Sequence, residues 1–239
     1  MTSDGPVCGP ISSYSRVQIL HLVQTRADRT IAELCEATGL HANTVREHVQ
    51  RLIDGGYIIA HTEHRTTRGR PRTLYSAATG APGASSPVAR DKAKAAAARG
   101  DMLRKVVPAA ASDLGRDATY QLDALIEHLE ESGFEPIVDE VQLTLDLSPC
   151  PHAAARPEDR PVLCQVHLSL MQGVLAEAGG PLTAECVHGE LAECTVQLGN
   201  AVPIGSPVPI GSPVPLGDSA PLGNTPQLVD AQGATHGMA

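Results

Sequence analysis

Apolar residues recur at helical spacing through the first quarter of the chain. A stripe of Val17, Ile19, Leu20 and Val23 predicts a first helix from about Ser12 to Thr25, with Ser12, Ser13 and Ser15 available to cap its start. Thr30 is placed to cap a second helix through Ile31, Leu34 and Cys35 that stops at Gly39. A third starts after Leu40, with Asn43 or Thr44 near its N-terminus, and turns Val45, Val49, Leu52 and Ile53 inward. Two short helices joined by a glycine-containing turn make a helix-turn-helix. After Gly55-Gly56 the period changes to that of strands at Tyr57-Ile58-Ile59-Ala60 and Thr73-Leu74-Tyr75-Ser76, on either side of a turn-prone basic stretch. This predicts a β-hairpin wing.

The pattern then breaks in a small-residue, Gly/Pro-interrupted linker over residues 77–87. Residues 88–111 are Ala-rich and basic and predict one or two helices despite Gly100 and Pro108, which connect domains or pair subunits. Residues 117–132 predict an amphipathic helix with Leu122, Leu125, Ile126 and Leu129 inside and Gly133 as its stop. Alternation predicts strands at 135–139 and 141–147, the latter carrying Val141, Leu143, Leu145 and Leu147 on one face. A rigid turn, Ser148-Pro149-Cys150-Pro151-His152, precedes a helix from about Arg160 that offers Leu168, Met171, Val174 and Leu175 for packing, and a last strand lies near 195–198. The motif Val202-Pro203-Ile204-Gly205-Ser206-Pro207 repeats and decays beyond this point, and its prolines predict a disordered tail. The expected fold class is α+β: a winged helix-turn-helix at 10–78, a helical linker at 79–116, a small α/β ligand domain at 117–199 and the tail at 200–239.

Composition narrows the chemistry. Among 239 residues there are one Phe and no Trp, so the cores are aliphatic and nucleobase stacking on aromatic platforms is excluded as a main mode of binding. No apolar run reaches the roughly 18 residues of a membrane span, and Met1-Thr2-Ser3-Asp4-Gly5-Pro6 lacks the pattern of a signal peptide, so a cytoplasmic location without membrane partners is expected. The net charge of -9 is unevenly distributed. Residues 1–78 carry nine Lys/Arg against seven Asp/Glu, residues 79–117 seven against four, and residues 118–239 two against sixteen. Electrostatic fields decay over roughly 10 Å in physiological salt, so the basic front can meet phosphate despite the acidic rear.

The stretch from Thr30 to Tyr75, with TIAELCEATGLHANTVREHVQRLIDGGYI and GRPRTLY, resembles the winged helix-turn-helix of bacterial regulators related to the ArsR and DeoR groups. The resemblance implies that the helix from about His41 enters the major groove, where His41, Asn43, Thr44, Arg46 and His48 meet base edges or phosphates. It also implies that Arg65, Arg68, Arg70 and Arg72 of the wing grip phosphate or enter the minor groove. A charge run is ordinarily a solvated face, but four arginines within eight residues with no acid among them favour DNA. Cys35 lies on the inner stripe of the second helix, as a small apolar residue would.

Four of the six cysteines, Cys150, Cys164, Cys186 and Cys194, fall in the acidic rear, interspersed with His152, His167 and His188. In a reducing compartment such thiols are not presumed disulfides. Their long, unequal gaps do not fit a zinc ribbon or finger, so any shared site is assembled by the tertiary fold, and soft thiolates suit iron-sulfur clusters, zinc or copper(I). Cys-Pro-His at Cys150, then Cys-Gln-Val-His-Leu-Ser-Leu-Met-Gln-Gly from Cys164, then Cys194 before a strand resemble the ligand domain of the SufR-like repressors, iron-sulfur-responsive regulators with a winged helix in front. Together the two resemblances cover most of residues 12–198. They imply Cys150, Cys164 and Cys194 as cluster ligands with Cys186 or His167 as the fourth, a 2Fe-2S or 4Fe-4S cluster, and a homodimer on a double-stranded DNA operator. They also imply repression of genes for iron-sulfur assembly or redox defence. Two readings keep the DNA-binding head: a zinc or copper(I) sensor, and a rear domain for dimerisation or a non-metal ligand with incidental thiols. An enzyme with a thiol nucleophile has only Cys164 and His167 as a local pair, with no oxyanion donor or orienting acid in view, so no catalytic residue is expected.

Overall fold

A computed structural model of the chain describes residues 13–64, 69–107, 114–150, 155–188 and 194–200, without the side chains of residues 186–188. Helix α1 (Tyr14–Thr25) is followed by α2 (Ile31–Thr38) and α3 (Ala42–Asp54). The start of α2 is a capping box: the Thr30 hydroxyl accepts from the Glu33 amide at 3.3 Å and the Glu33 carboxylate accepts from the Thr30 amide at 2.7 Å. Arg26 also pairs with Glu33, and this contact first, then the Thr30 donors, hold the Glu33 carboxyl down to about 2. Gly39 ends the helix at φ 69°, a left-handed conformation that glycine adopts without strain. The first residue of α3 is Ala42, and the His41 ring takes the cap: its Nδ1 accepts from the Asn43 amide at 3.3 Å.

Strands β1 (Ile58–Thr62) and β2 (Thr73–Ala77) pair antiparallel from Ile58 opposite Ala77 to Thr62 opposite Thr73. Arg29, between α1 and α2, adds a backbone bridge to Tyr75. The resulting head is closed by Ile19, Leu20, Leu34, Val45, Leu52 and Ile58, all essentially inaccessible to solvent.

Residues 88–106 lie in a single helix, α4 (Pro87–Val106), that runs through Gly100, and Ser86 caps it. It lies antiparallel to α5 (Arg116–Glu131), joined by Lys92 to Glu131 at 2.8 Å, Arg99 to Glu127, and Arg104 to Asp123 at 2.9 Å. A Cβ at Gly100 would press on the Asp123 carboxylate that Arg104 holds. Three of the basic side chains of the expected linker thus neutralise acids of α5.

The rear sheet contains β3 (Ile137–Asp139), β4 (Thr144–Asp146), β5 (Leu182–His188) and β6 (Cys194–Asn200) in the order β3-β4-β6-β5, antiparallel throughout. Helices α5 and α6 (Arg160–Ala178) cover one face, where Leu125, Leu129, Leu145, Met171, Val196 and Leu198 form the core. One expectation is corrected. The alternation at 141–147 does not make one long strand, because the Asp139 carboxylate accepts from the amides of Val141 and Gln142, both at 2.9 Å, and turns the chain. Val141 is left 88% exposed, and only Leu145 and Leu147 of that row are buried. Strand β5, with Leu182 and Ala184 inward, is an edge strand that the mixed composition of these residues hid.

The boundary near residue 78 is a change of secondary structure, not a gap in packing. Glu177 of α6 accepts from the Ser85 hydroxyl at 2.7 Å and from the Ser86 amide, fastening the linker to α6. On the other side of α6, Val166 and Leu170 belong to the head core beside Val17 and Leu20. All described residues fall in one compact unit, and Asn200 ends β6; the repetitive stretch at 201–239, and Cys8, lie outside the described residues.

Candidate nucleic-acid interface and thiol-bearing end

Helix α3 buries Val45, Val49 and Leu52 and turns its opposite face outward. On that face His41, Asn43 and Arg46 are exposed and Thr44 is half-buried; the Arg46 guanidinium donates to the Asn43 side chain at 3.1 Å. Gln50, which the sequence reading passed over, continues the row one turn further and donates to Asp54 at 2.7 Å. Its spacing of seven from Asn43 was the available signal. His48 lies to one side, half-buried, with Nδ1 enclosed and without a hydrogen-bond partner among the described residues; burial first, then the Arg16 charge, lowers its basicity. Nearby Arg16 is itself only 8% exposed.

In the wing, Arg70 and Arg72 are exposed, while Arg65 and Arg68 lie outside the described residues. The Arg72 guanidinium forms two parallel bonds to Glu63 across the hairpin, at 3.0 and 2.9 Å, so this arginine is not a free cation: an acid just before the basic run meets it. Glu63 also receives the structural register of the hairpin, its amide donating to the Arg72 carbonyl at 2.8 Å.

Two helices stacked at a glycine turn, an exposed polar row on the second, and a two-stranded hairpin with arginines together present one face suited to a duplex. Residues 13–59 match the family described as winged helix-turn-helix, DNA-binding. The head is a winged helix-turn-helix DNA-binding domain. No curated protein and no solved structure shows significant similarity to the chain. The winged helix makes the chain a DNA-binding protein of the kind that regulates transcription, and no helix among the described residues is long and apolar enough to cross a membrane.

The cysteines of the rear fall toward one end of its sheet. Cys194 begins β6, opposite His188 of β5; its amide donates to the Ser148 hydroxyl at 3.1 Å and its carbonyl accepts from Leu147 at 2.8 Å. Cys150 follows two residues after Ser148, and both Cys150 and Cys194 are half-buried against the rear core. Cys186 is in register with Val196. On α6, Cys164 precedes Leu168, Met171 and Leu175, which face the sheet, by one, two and three turns, and is exposed. Gln172 donates to the Ala184 carbonyl at 3.0 Å. Eight residues back along the helix is about 12 Å, or roughly three to four residues of strand. Cys164 is therefore level with the end of β5 that meets Cys194. Among the described residues no three His, Cys, Asp or Glu side chains are already drawn together as a metal site.

His167 is held among buried rings. It is 6% exposed and stacks face to face on Phe134, with ring centroids 4.4 Å apart and planes 8° from parallel. Its ring lies 6.2 Å from that of His128, which in turn meets Tyr57 edge-on at 5.9 Å, so a chain of buried rings runs from rear to head. Burial, with a smaller contribution from Lys92, lowers His128 to about 4, and burial pushes the Tyr57 phenol up. Beside these rings a cavity of about 50 Å³ opens among Gly56, Tyr57, Ala93, Ala96, His128 and Val174, where head and rear meet.

Proposed function

We propose that the chain is a repressor that binds a double-stranded operator as a homodimer, with its affinity set by an iron-sulfur cluster held by Cys150, Cys164 and Cys194 and completed by Cys186 or His167. What supports this reading is that Cys150 and Cys194 lie against the rear core beside Ser148, and that helix rise, counted back from Gln172, puts Cys164 of α6 at about their level. Thiolates from three separate elements are the soft donor set that such a cluster takes. When bound, the cluster would supply iron-thiolate bonds that respond to oxidation and to iron supply.

The chain's own contribution is α6. Cys164, exposed, is in helical line with its sheet-facing Leu168, Met171 and Leu175, while Val166 and Leu170 on another side are part of the head core. The Val166 carbonyl accepts from Gln24 at 3.5 Å, and Asp159, just before α6, accepts from the Tyr14 hydroxyl at 3.0 Å. A displacement of the first turns of α6 is thus a displacement beneath α1, against which α3 packs. Holding or releasing Cys164 biases where the DNA-reading helix sits.

The test is purification without oxygen. The reading expects iron and acid-labile sulfide with visible charge-transfer absorption, lost in each of Cys150→Ser, Cys164→Ser and Cys194→Ser. Zinc in place of both overturns the cluster and leaves soft-metal sensing by the same thiols; an absence of all metals with unchanged regulation by the three variants overturns both.

A further inference from the structure

The inner side of α4 is engaged as far as Gly100 and left open only at Leu103, 65% exposed: Ala93 and Ala96 are buried, and Lys92, Arg99 and Arg104 pair with α5. Its outer side is not. Met102 is 68% exposed and Val106 79%, and Val88 at the other end is exposed too, an apolar display that a solvated helix face does not need. Two rows at seven-residue spacing run along this side, which drifts by only about 20° per repeat. One is Val88, Ala95 and Met102; the other is Asp91, Ala98 and Lys105.

We propose that this face pairs with the same face of a second copy of the chain, antiparallel, about a two-fold axis close to Ala98. The charge pattern selects that occupant. Asp91 and Lys105 each lie seven residues, or about 10 Å, from Ala98, on opposite sides. Reversing the helix about Ala98 brings the second copy's Lys105 beside Asp91 and the second copy's Asp91 beside Lys105, so one antisymmetric row satisfies itself twice. Ala95 and Ala98 at the crossing have no bulk to hold the backbones apart, and Met102 and Val106 are carried over the apolar start of the other helix. Among the described residues, Asp91 has only a loose contact with Lys94 at 3.8 Å, and both side chains are more than three-quarters exposed. The pairing gives the proposed repressor its two heads, and in that respect it rests on that reading; the surface itself is argued from α4 alone.

Sedimentation equilibrium of the full chain tests it. The wild type is expected to be a dimer, and Met102→Glu to weaken association by at least roughly tenfold, about 1.4 kcal/mol. Asp91→Lys and Lys105→Asp should each weaken it, and the two together should restore it, with circular dichroism verifying that each variant is folded. A wild type that stays monomeric, or a dimer indifferent to all three single changes, or a double variant that fails to recover, overturns the proposal. Binding to a short duplex carrying one half-site separates the two ideas: a dimer of this kind that ignores DNA sinks the operator reading and leaves the α4 pairing standing.

Discussion

Arg72 and Glu63 illustrate how a single acid changes the meaning of a basic run. The wing was legible as a phosphate grip from its arginines, but the strand register that places Glu63 opposite Arg72 was not, because pairing across a hairpin depends on where the turn falls. Neutralising Glu63 releases a cation toward DNA. Glu63→Gln is accordingly expected to tighten binding to any duplex and to steepen the dependence of log affinity on log salt by about one, measured by fluorescence anisotropy over a salt series. His128 makes a prediction of the opposite kind, on stability. Its unfolded value is 6.5 and its folded value about 4, so between those limits the unfolded chain binds a proton that the folded chain refuses. The stabilisation is complete above pH 6.5 and is lost as pH falls toward 4, on the order of 1 kcal/mol per pH unit at the steepest. Urea unfolding from pH 7 to pH 4.5 should show this fall, and His128→Leu should flatten it.

At the scale of elements, the parts governed by local chemistry were readable and those governed by tertiary contacts were not. The capping Thr30, the left-handed Gly39 and the inward stripe of α3 specify the helix-turn-helix from within a few residues. Thr30→Ala removes one side of the capping box and should lower stability by about 1 kcal/mol, read from the urea midpoint, with the DNA-binding face of α3 displaced little. The row at 141–147 misled because an alternating pattern does not reveal the Asp139 side chain that turns the backbone, and β5 was missed because an edge strand with Thr183 and Glu185 exposed carries little apolar signal. The linker likewise reads as loose from its glycines and prolines, whereas Glu177, 91 and 92 residues away from its partners, pins it. The candidate site divides the same way. The residue types at Cys150, Cys164 and Cys194 were evident in the chain, but their common level in the rear layer follows only from the register of β4, β5 and β6 and the run of α6.

Taken as a whole molecule, the described chain is built around α6, which contributes to two cores at once. A separable head and rear would unfold independently, and this one should not. Leu170 is 4% exposed within the head core although it belongs to the rear helix. Leu170→Ala is expected to cost about 2–5 kcal/mol and to lower the denaturation midpoints of head and rear probes together, whereas two separated transitions would show that α6 does not couple them. The same coupling is what the proposed regulation needs. Its most direct test is the affinity of protein purified without oxygen for an operator fragment selected from genomic DNA, measured before and after its iron is removed by a chelator. The account predicts a change of about 5- to 150-fold, corresponding to roughly 1–3 kcal/mol between the two states; equal affinities in the two states, from protein shown to have held iron and sulfide at the outset, would contradict it.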